Sequence, residues 1–119
     1  YICSKADVNI ISAKQTKILK YGISFNKLFD YMNAGRPVLS IVKPNYDLLE
    51  RYDCGFSLSD QSPRSIADAI LRFYEMPKDK YDRMCVNAIN AAKDYDYSKL
   101  TDKLEEVIEY AVNHHGEKK

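Results

Sequence analysis

The sequence predicts an α/β protein, a short parallel sheet covered by helices and followed by two C-terminal helices. Three observations point there. Short apolar runs rich in Val, Ile and Leu alternate with segments whose apolar residues recur at helical spacing, the order that yields a parallel sheet with helical crossovers. Gly35 and Pro37 stand where the first helical segment should stop. Two amphipathic stretches, one over about 78–93 and one from Ser98 to Ala111, close the chain with no strand after them.

Taken in order, Val8-Asn9-Ile10-Ile11 reads as a buried strand over 8–12. Lys14 to Gly22 has no sustained period and reads as a loop. Ser24 offers a helix N-cap, and Phe25, Leu28, Phe29 and Met32 follow at i, i+3, i+4 and i+7. Gly35 falls where a left-handed cap residue belongs, and Val38 to Val42 is a second buried strand. Pro44-Asn45 opens a short helix through Leu48, Leu49 and Tyr52, closed by Gly55; Phe56-Ser57-Leu58 is a third strand. Ser62 caps the next helix, Pro63 fits its first turn, and Ile66, Ala67, Ile70, Phe73 and Tyr74 form its apolar face up to the break at Met76-Pro77. Tyr81, Met84, Cys85, Ala88 and Ala92 mark another helix, and Asp94 to Tyr97 reads as a hinge. Ser98 recaps a final helix carried by Leu100, Leu104, Val107, Ile108 and Ala111. Residues 1–113 are read as the domain part and 114–119 as a polar tail. Three strands are few for so much helix, and the chain opens on Tyr1 rather than Met. We therefore expect the back half of a doubly wound domain, with its other strands upstream.

Composition narrows the class. Of 119 residues 45% are hydrophobic and 29% charged, ordinary globular usage. Lys+Arg 18 against Asp+Glu 17 leaves +1, so no global basic field invites nucleic acid or an anionic membrane. No apolar run approaches the ~20 residues of a spanning helix. Cys3, Cys54 and Cys85 are odd in number and scattered, which predicts reduced thiols in a cytoplasmic protein. Charge is uneven, however. Val8 through Phe29 holds no acid but carries Lys14, Lys17, Lys20 and Lys27. That segment reads either as a solvated loop or as a surface for an anion, a membrane or a partner.

The most informative stretch runs from Ser24 to Leu39: a loop enters a helix, and a tight turn leads into a buried strand. The helix begins on the carboxyl side of the first strand, where open α/β sheets bind ligands. Free N–H groups and the helix dipole favour phosphate at that end. With Phe25, Leu28, Phe29 and Met32 toward the sheet, Asn26, Lys27, Asp30 and Asn33 share the other face. Asp30 sits about one turn in, ~6 Å along the axis, where a carboxylate can accept hydrogen bonds from a ribose diol. The plainer reading makes Lys27 and Asp30 an i, i+3 surface pair worth a few tenths of a kcal/mol.

Asn26-Lys-Leu-Phe-Asp-Tyr-Met-Asn-Ala-Gly-Arg-Pro-Val-Leu39 resembles the "K-L-x-E-Y-M-A-A-G-K-P-V-I" signature of family 4 (group 1) glycosyltransferases. The likeness extends to Ala6-Asp7-Val8 with Ile10 and Ser12, to Cys54-Gly55-Phe56, Asp60 and Ile66-Ala67-Asp68-Ala69-Ile70, and to Tyr95 through Tyr110. The resemblance implies the two-domain GT-B fold, of which this chain is a partial Rossmann-like, C-terminal portion binding a nucleoside diphosphate sugar. It implies that Asp30 matches the ribose-binding second glutamate of the family's E-x7-E motif, and that Ile23, Ser24, Phe25 and Asn26 match the segment whose amides meet the diphosphate. Lys27 is a candidate contributor to charge stabilisation there. Gly22 stands in place of the first glutamate, which would contact the sugar, and Asp30 is a shortened second one. A subgroup resembling amino-sugar transferases of polysaccharide assembly carries this shorter form.

The expected activity is retaining transfer of a hexosyl or N-acetylhexosaminyl group, with no metal or other cofactor. Expected partners are the nucleotide-sugar donor, an N-terminal acceptor domain of the same protein and a membrane-associated, lipid-linked acceptor, with no nucleic acid. The location is expected to be cytoplasmic, peripheral at the inner face of the membrane. A non-catalytic nucleotide-binding or interaction module, and a GT-B sugar epimerase, are the alternatives. Other motifs carry less. His114 and His115 read as a disordered tail, since no Cys or carboxylate set has metal-ligand spacing. The cysteines and the ten tyrosines read as packing and rim, and Asp7 as a local cap.

Overall fold

The computed structural model describes residues 1–21 and 26–116. Among them are three strands, β1 (Asn9–Ile11), β2 (Val38–Ser40) and β3 (Gly55–Ser57), and five α-helices: α1 (Asn26–Asn33), α2 (Leu48–Tyr52), α3 (Pro63–Tyr74), α4 (Lys78–Asp94) and α5 (Tyr97–Asn113). The strands form one parallel sheet in the order β1-β2-β3, with Asn9 opposite Val38 and Val38 opposite Gly55. Each parallel step is bridged by a helix, α1 between β1 and β2 and α2 between β2 and β3, as parallel pairing requires.

The pleat of β2 divides the core. Val38 points into a cluster with Ile11, Leu28, Met32, Leu49 and Cys54, covered by α1, α2 and the second half of α4 through Ala88 and Ala91. Leu39 points the other way, onto Ala69 and Phe73 of α3 and Met84 of α4. Helix α4 therefore serves both faces. It is tied to the start of the chain by Arg36, whose Nε donates to the Ser4 carbonyl and whose Nη1 donates to the Tyr81 hydroxyl, which in turn donates to the Asp7 carbonyl.

Several local expectations change. β1 is an edge strand with one open face: Asn9 and Ile11 are buried, whereas Ile10 is 46% exposed. Asn9 is held inside by its amide, which donates to the Cys3 carbonyl at 3.1 Å. The loop ahead of α1 contains a turn of 3-10 helix, Lys17–Tyr21, that buries Leu19. Helix α2 is capped by Asp47 rather than opened at Pro44-Asn45, and Asp53 in the left-handed region (φ 49°) ends it. Gly55 is instead the first residue of β3. Packing also rotates α3 from the expected stripe. Ala69 and Phe73 are buried, while Ile70 and Tyr74 stay exposed on the wall of an open cleft of about 520 Å³ that they share with Val8, Ile10 and Leu39. Asp96, not Ser98, caps α5, accepting from the Ser98 N–H.

Helix α5 carries its expected apolar row, but none of its residues is buried. No described helix is long and apolar enough to cross a membrane. His114 does not trail away: its ring stacks on Tyr110 at 4.1 Å between centroids.

Cys54 has no exposed surface, and its burial, reinforced by the charges of Asp47 and Asp53, pushes the thiol from its ordinary 9.0 up to about 12. A raised folded value means the fold favours the neutral thiol. The associated stability is complete below pH 9 and is lost as pH climbs from 9 toward 12. Tyr52 and Tyr95, shifted up by burial, act in the same direction. Urea unfolding followed by circular dichroism should show stability falling above pH 9, with a shallower fall in Cys54→Ala. A pH dependence identical in the two proteins would remove Cys54 from the account.

Candidate functional site

Helix α1 sets the site because its two sides meet different surroundings. Leu28 and Met32 are buried and Phe29 is half-buried, which orients the helix on the sheet. Asn26, Lys27, Asp30 and Asn33 are exposed, as the apolar spacing predicts. Gly35 in the left-handed region (φ 70°) ends the turn after the helix, and Pro37 leads into β2. Gly22, Ile23, Ser24 and Phe25 lie outside the described residues, and so does the helix tip they were expected to form.

Two clefts flank α1. One, about 370 Å³, lies beside β1 and is lined by Ile10, Ile11, Ser12, Asn26, Lys27 and Tyr31. The other, about 540 Å³, lies between α1, the loop before α2 and the start of α5; its walls include Asn26, Phe29, Asp30, Tyr46, Tyr95 and Tyr97. A smaller hollow of about 230 Å³ shares Phe29, Asp30, Tyr95 and Tyr97 with it and adds Lys93 and Asp96. Only Asn26 belongs to both clefts. Lys27 opens toward the strand and Asp30 toward the tyrosines, since three residues advance a helix by ~300° and leave the two side chains ~60° apart. Lys27 and Asp30 form no salt bridge with each other; the ion pairs among the described residues are Lys43–Glu50, Lys78–Asp82 and Lys99–Asp94.

The tyrosine side of the larger cleft is built by contacts that composition cannot show. Tyr95 packs its ring on Phe29 of α1 at 5.4 Å and edge-on to Tyr52 of α2 at 6.4 Å. The Tyr52 hydroxyl donates to Asp94 at 3.0 Å, and Lys99 pairs with the same carboxylate at 3.2 Å. Lys99 first and Tyr52 second hold the Asp94 carboxyl below the usual carboxylate range. The hinge between α4 and α5 is therefore anchored to α2, which places Tyr97 and Leu100 on the cleft wall. Tyr46 enters from the loop before α2, its hydroxyl accepting from Arg51 and its ring lying 5.5 Å from that guanidinium. Nearby, Asp47 Oδ2 and Ser57 Oγ are buried without a hydrogen-bond partner among the described residues; both residues line a cavity of about 20 Å³ at the carboxyl ends of the strands.

Chemically, the cleft offers one carboxylate, one amide, phenol hydroxyls and several aromatic faces. That set suits a polyhydroxylated or planar ligand, since a carboxylate accepts two hydroxyl hydrogen bonds and aromatic faces take flat rings. Among the described residues no three His, Cys, Asp or Glu side chains form a metal-binding group. Lys14, Lys17 and Lys20, on the connection from β1 to α1, are all exposed, as is Lys27. Sequence reading nominated Asp30, Asn26 and Lys27 and placed the tyrosines among core and rim. Tyr46, Tyr95 and Tyr97 share no spacing, so no periodic signal could have joined them.

Comparison with protein-family models, with curated proteins and with solved structures finds no match for this chain.

Proposed function

We propose that the chain supplies part of the donor site of a GT-B glycosyltransferase, an enzyme that moves a hexosyl or N-acetylhexosaminyl group from a nucleoside diphosphate sugar to an acceptor. The observation that carries this reading is the position of Asp30: exposed, about one turn into α1, and in the wall of a 540 Å³ cleft rather than in the core. In this role Asp30 accepts hydrogen bonds from the ribose diol. The amides of Ile23, Ser24, Phe25 and Asn26 bind the diphosphate, with Gly22 allowing close approach. Lys27, on the strand side of α1, opposes the negative charge that builds on the diphosphate as the bond to the anomeric carbon breaks. The acceptor, lipid-linked in this proposal, is held by a second domain, and the enzyme works at the cytoplasmic face of a membrane.

Titration calorimetry with UDP, UMP and ADP tests the donor site. Millimolar or tighter binding is expected, with Asp30→Ala weakening it by about tenfold, the loss of roughly one charge-assisted hydrogen bond. Equal binding by both proteins would remove Asp30 from the site. One observation favours a second reading, a nucleotide-binding module without transfer: Gly22 stands where the family motif has its sugar-contacting glutamate. UDP-glucose binding no better than UDP supports that module, whereas tighter binding supports the transferase.

A further inference from the structure

The larger cleft contains more than a ribose needs. Tyr97 is 87% exposed and Tyr46 is 52% exposed, yet both line the cleft that holds Asp30, and they arrive from separate elements. A tyrosine so exposed gains little from folding, since apolar burial is what stabilises such rings. What it does provide is an aromatic face beside a carboxylate.

The two clefts differ in charge, and this orients a nucleotide. Asp30 is the one charged side chain among the described residues lining the larger cleft; Arg51 is held on the Tyr46 hydroxyl and ring and Lys93 lines the adjoining hollow, so the cleft wall itself offers a phosphate no cation. The strand-side cleft carries Lys27 and the Ser12 hydroxyl and suits an anion. In a nucleoside phosphate the 2′ and 3′ hydroxyls lie along one edge of the ribose, and the base and the 5′ phosphate leave from opposite corners. With the diol on Asp30 and the phosphate toward Lys27, the base is directed into the larger cleft. Resting on the donor-site reading above, we infer that the nucleobase stacks on Tyr97 and Tyr46 in that cleft, so that aromatic contact rather than edge-specific hydrogen bonding holds it. Stacking of this kind accepts any base, because every base has a π-face.

A matched pair of ligands separates base from sugar phosphate: UMP and ribose 5-phosphate, titrated into the 119-residue chain and its variants by NMR or calorimetry. Tyr97→Ala should weaken UMP by about tenfold and leave ribose 5-phosphate unchanged, while Tyr97→Phe binds UMP as the parent does. Asp30→Ala should weaken both ligands. In the parent, the Tyr97 ring resonances should move on addition of UMP and stay in place with ribose 5-phosphate. Since Tyr97 is exposed, its variants keep the parent's circular dichroism. Parent-like UMP binding by Tyr97→Ala, or equal weakening of both ligands, overturns the stacking while the effect of Asp30→Ala preserves the donor site. Failure of both ligands to bind the parent overturns the donor site and the stacking together.

Discussion

Gly55→Ala is expected to destabilise the chain by about 4 kcal/mol or more, in the exceptional range for a single substitution. The reason is space rather than backbone conformation. A Cβ at Gly55 would lie 1.9 Å from the Val38 carbonyl oxygen and 2.9 Å from its carbon. Those atoms belong to the central strand, paired with Gly55 in register, and the Val38 N–H donates to the neighbouring Cys54 carbonyl at 3.1 Å. Relief requires β3 to move away from β2, which opens the sheet and exposes Cys54. Urea unfolding monitored by circular dichroism, with thiol labelling of Cys54 as a second readout, measures this. A midpoint within about 1 kcal/mol of the parent, in the range of ordinary surface substitutions, would show that the strands can separate cheaply.

The second large effect contrasts two residues that lie side by side on neighbouring strands. Ile10 and Leu39 are register partners, and both read from sequence as core residues of buried strands. Leu39 has no exposed surface and meets Ala69, Phe73 and Met84, whereas Ile10 is 46% exposed. Leu39→Ala should cost about 3 kcal/mol, the range for leucine truncation in a core that only partly relaxes. Ile10→Ala should cost about 1 kcal/mol or less, since only part of its side chain leaves water on folding. Equal costs would mean that the Ile10 face is covered in solution.

The same contrast explains why some elements were legible and others were not. Helices α1, α3 and α4 announced themselves through local chemistry: Gly35 with Pro37 after one, Ser62 with Pro63 before another, Pro77 at the head of the third. The outward position of Asn26, Lys27 and Asp30 followed from the spacing of Leu28, Phe29 and Met32, because three inward-facing positions at 3.6 residues per turn determine where the others point. The end of α2 misled, since a glycine near a helix end is the usual left-handed cap. Here Asp53 adopts that conformation and Gly55 answers to a clash across the sheet. The apolar stripe on α3 misled likewise: Ile70 and Tyr74 keep helical spacing but stand on the wall of an open cleft beside Ile10 instead of closing onto it.

What the order of residues dictated, then, was local and periodic: three short strands, the helices between and after them, the turn at Gly35 and an outward Asp30. Tertiary contacts alone decided that Asp30 and Lys27 open to different clefts, and that Tyr46, Tyr95 and Tyr97 gather beside Asp30. Those tyrosines come from the loop before α2 and from the α4–α5 hinge, and they converge because Tyr95 packs on Phe29 and Tyr52 anchors Asp94. Periodicity reports which side of an element meets the core. The neighbours of its other side depend on how distant segments pack, and no local pattern records that.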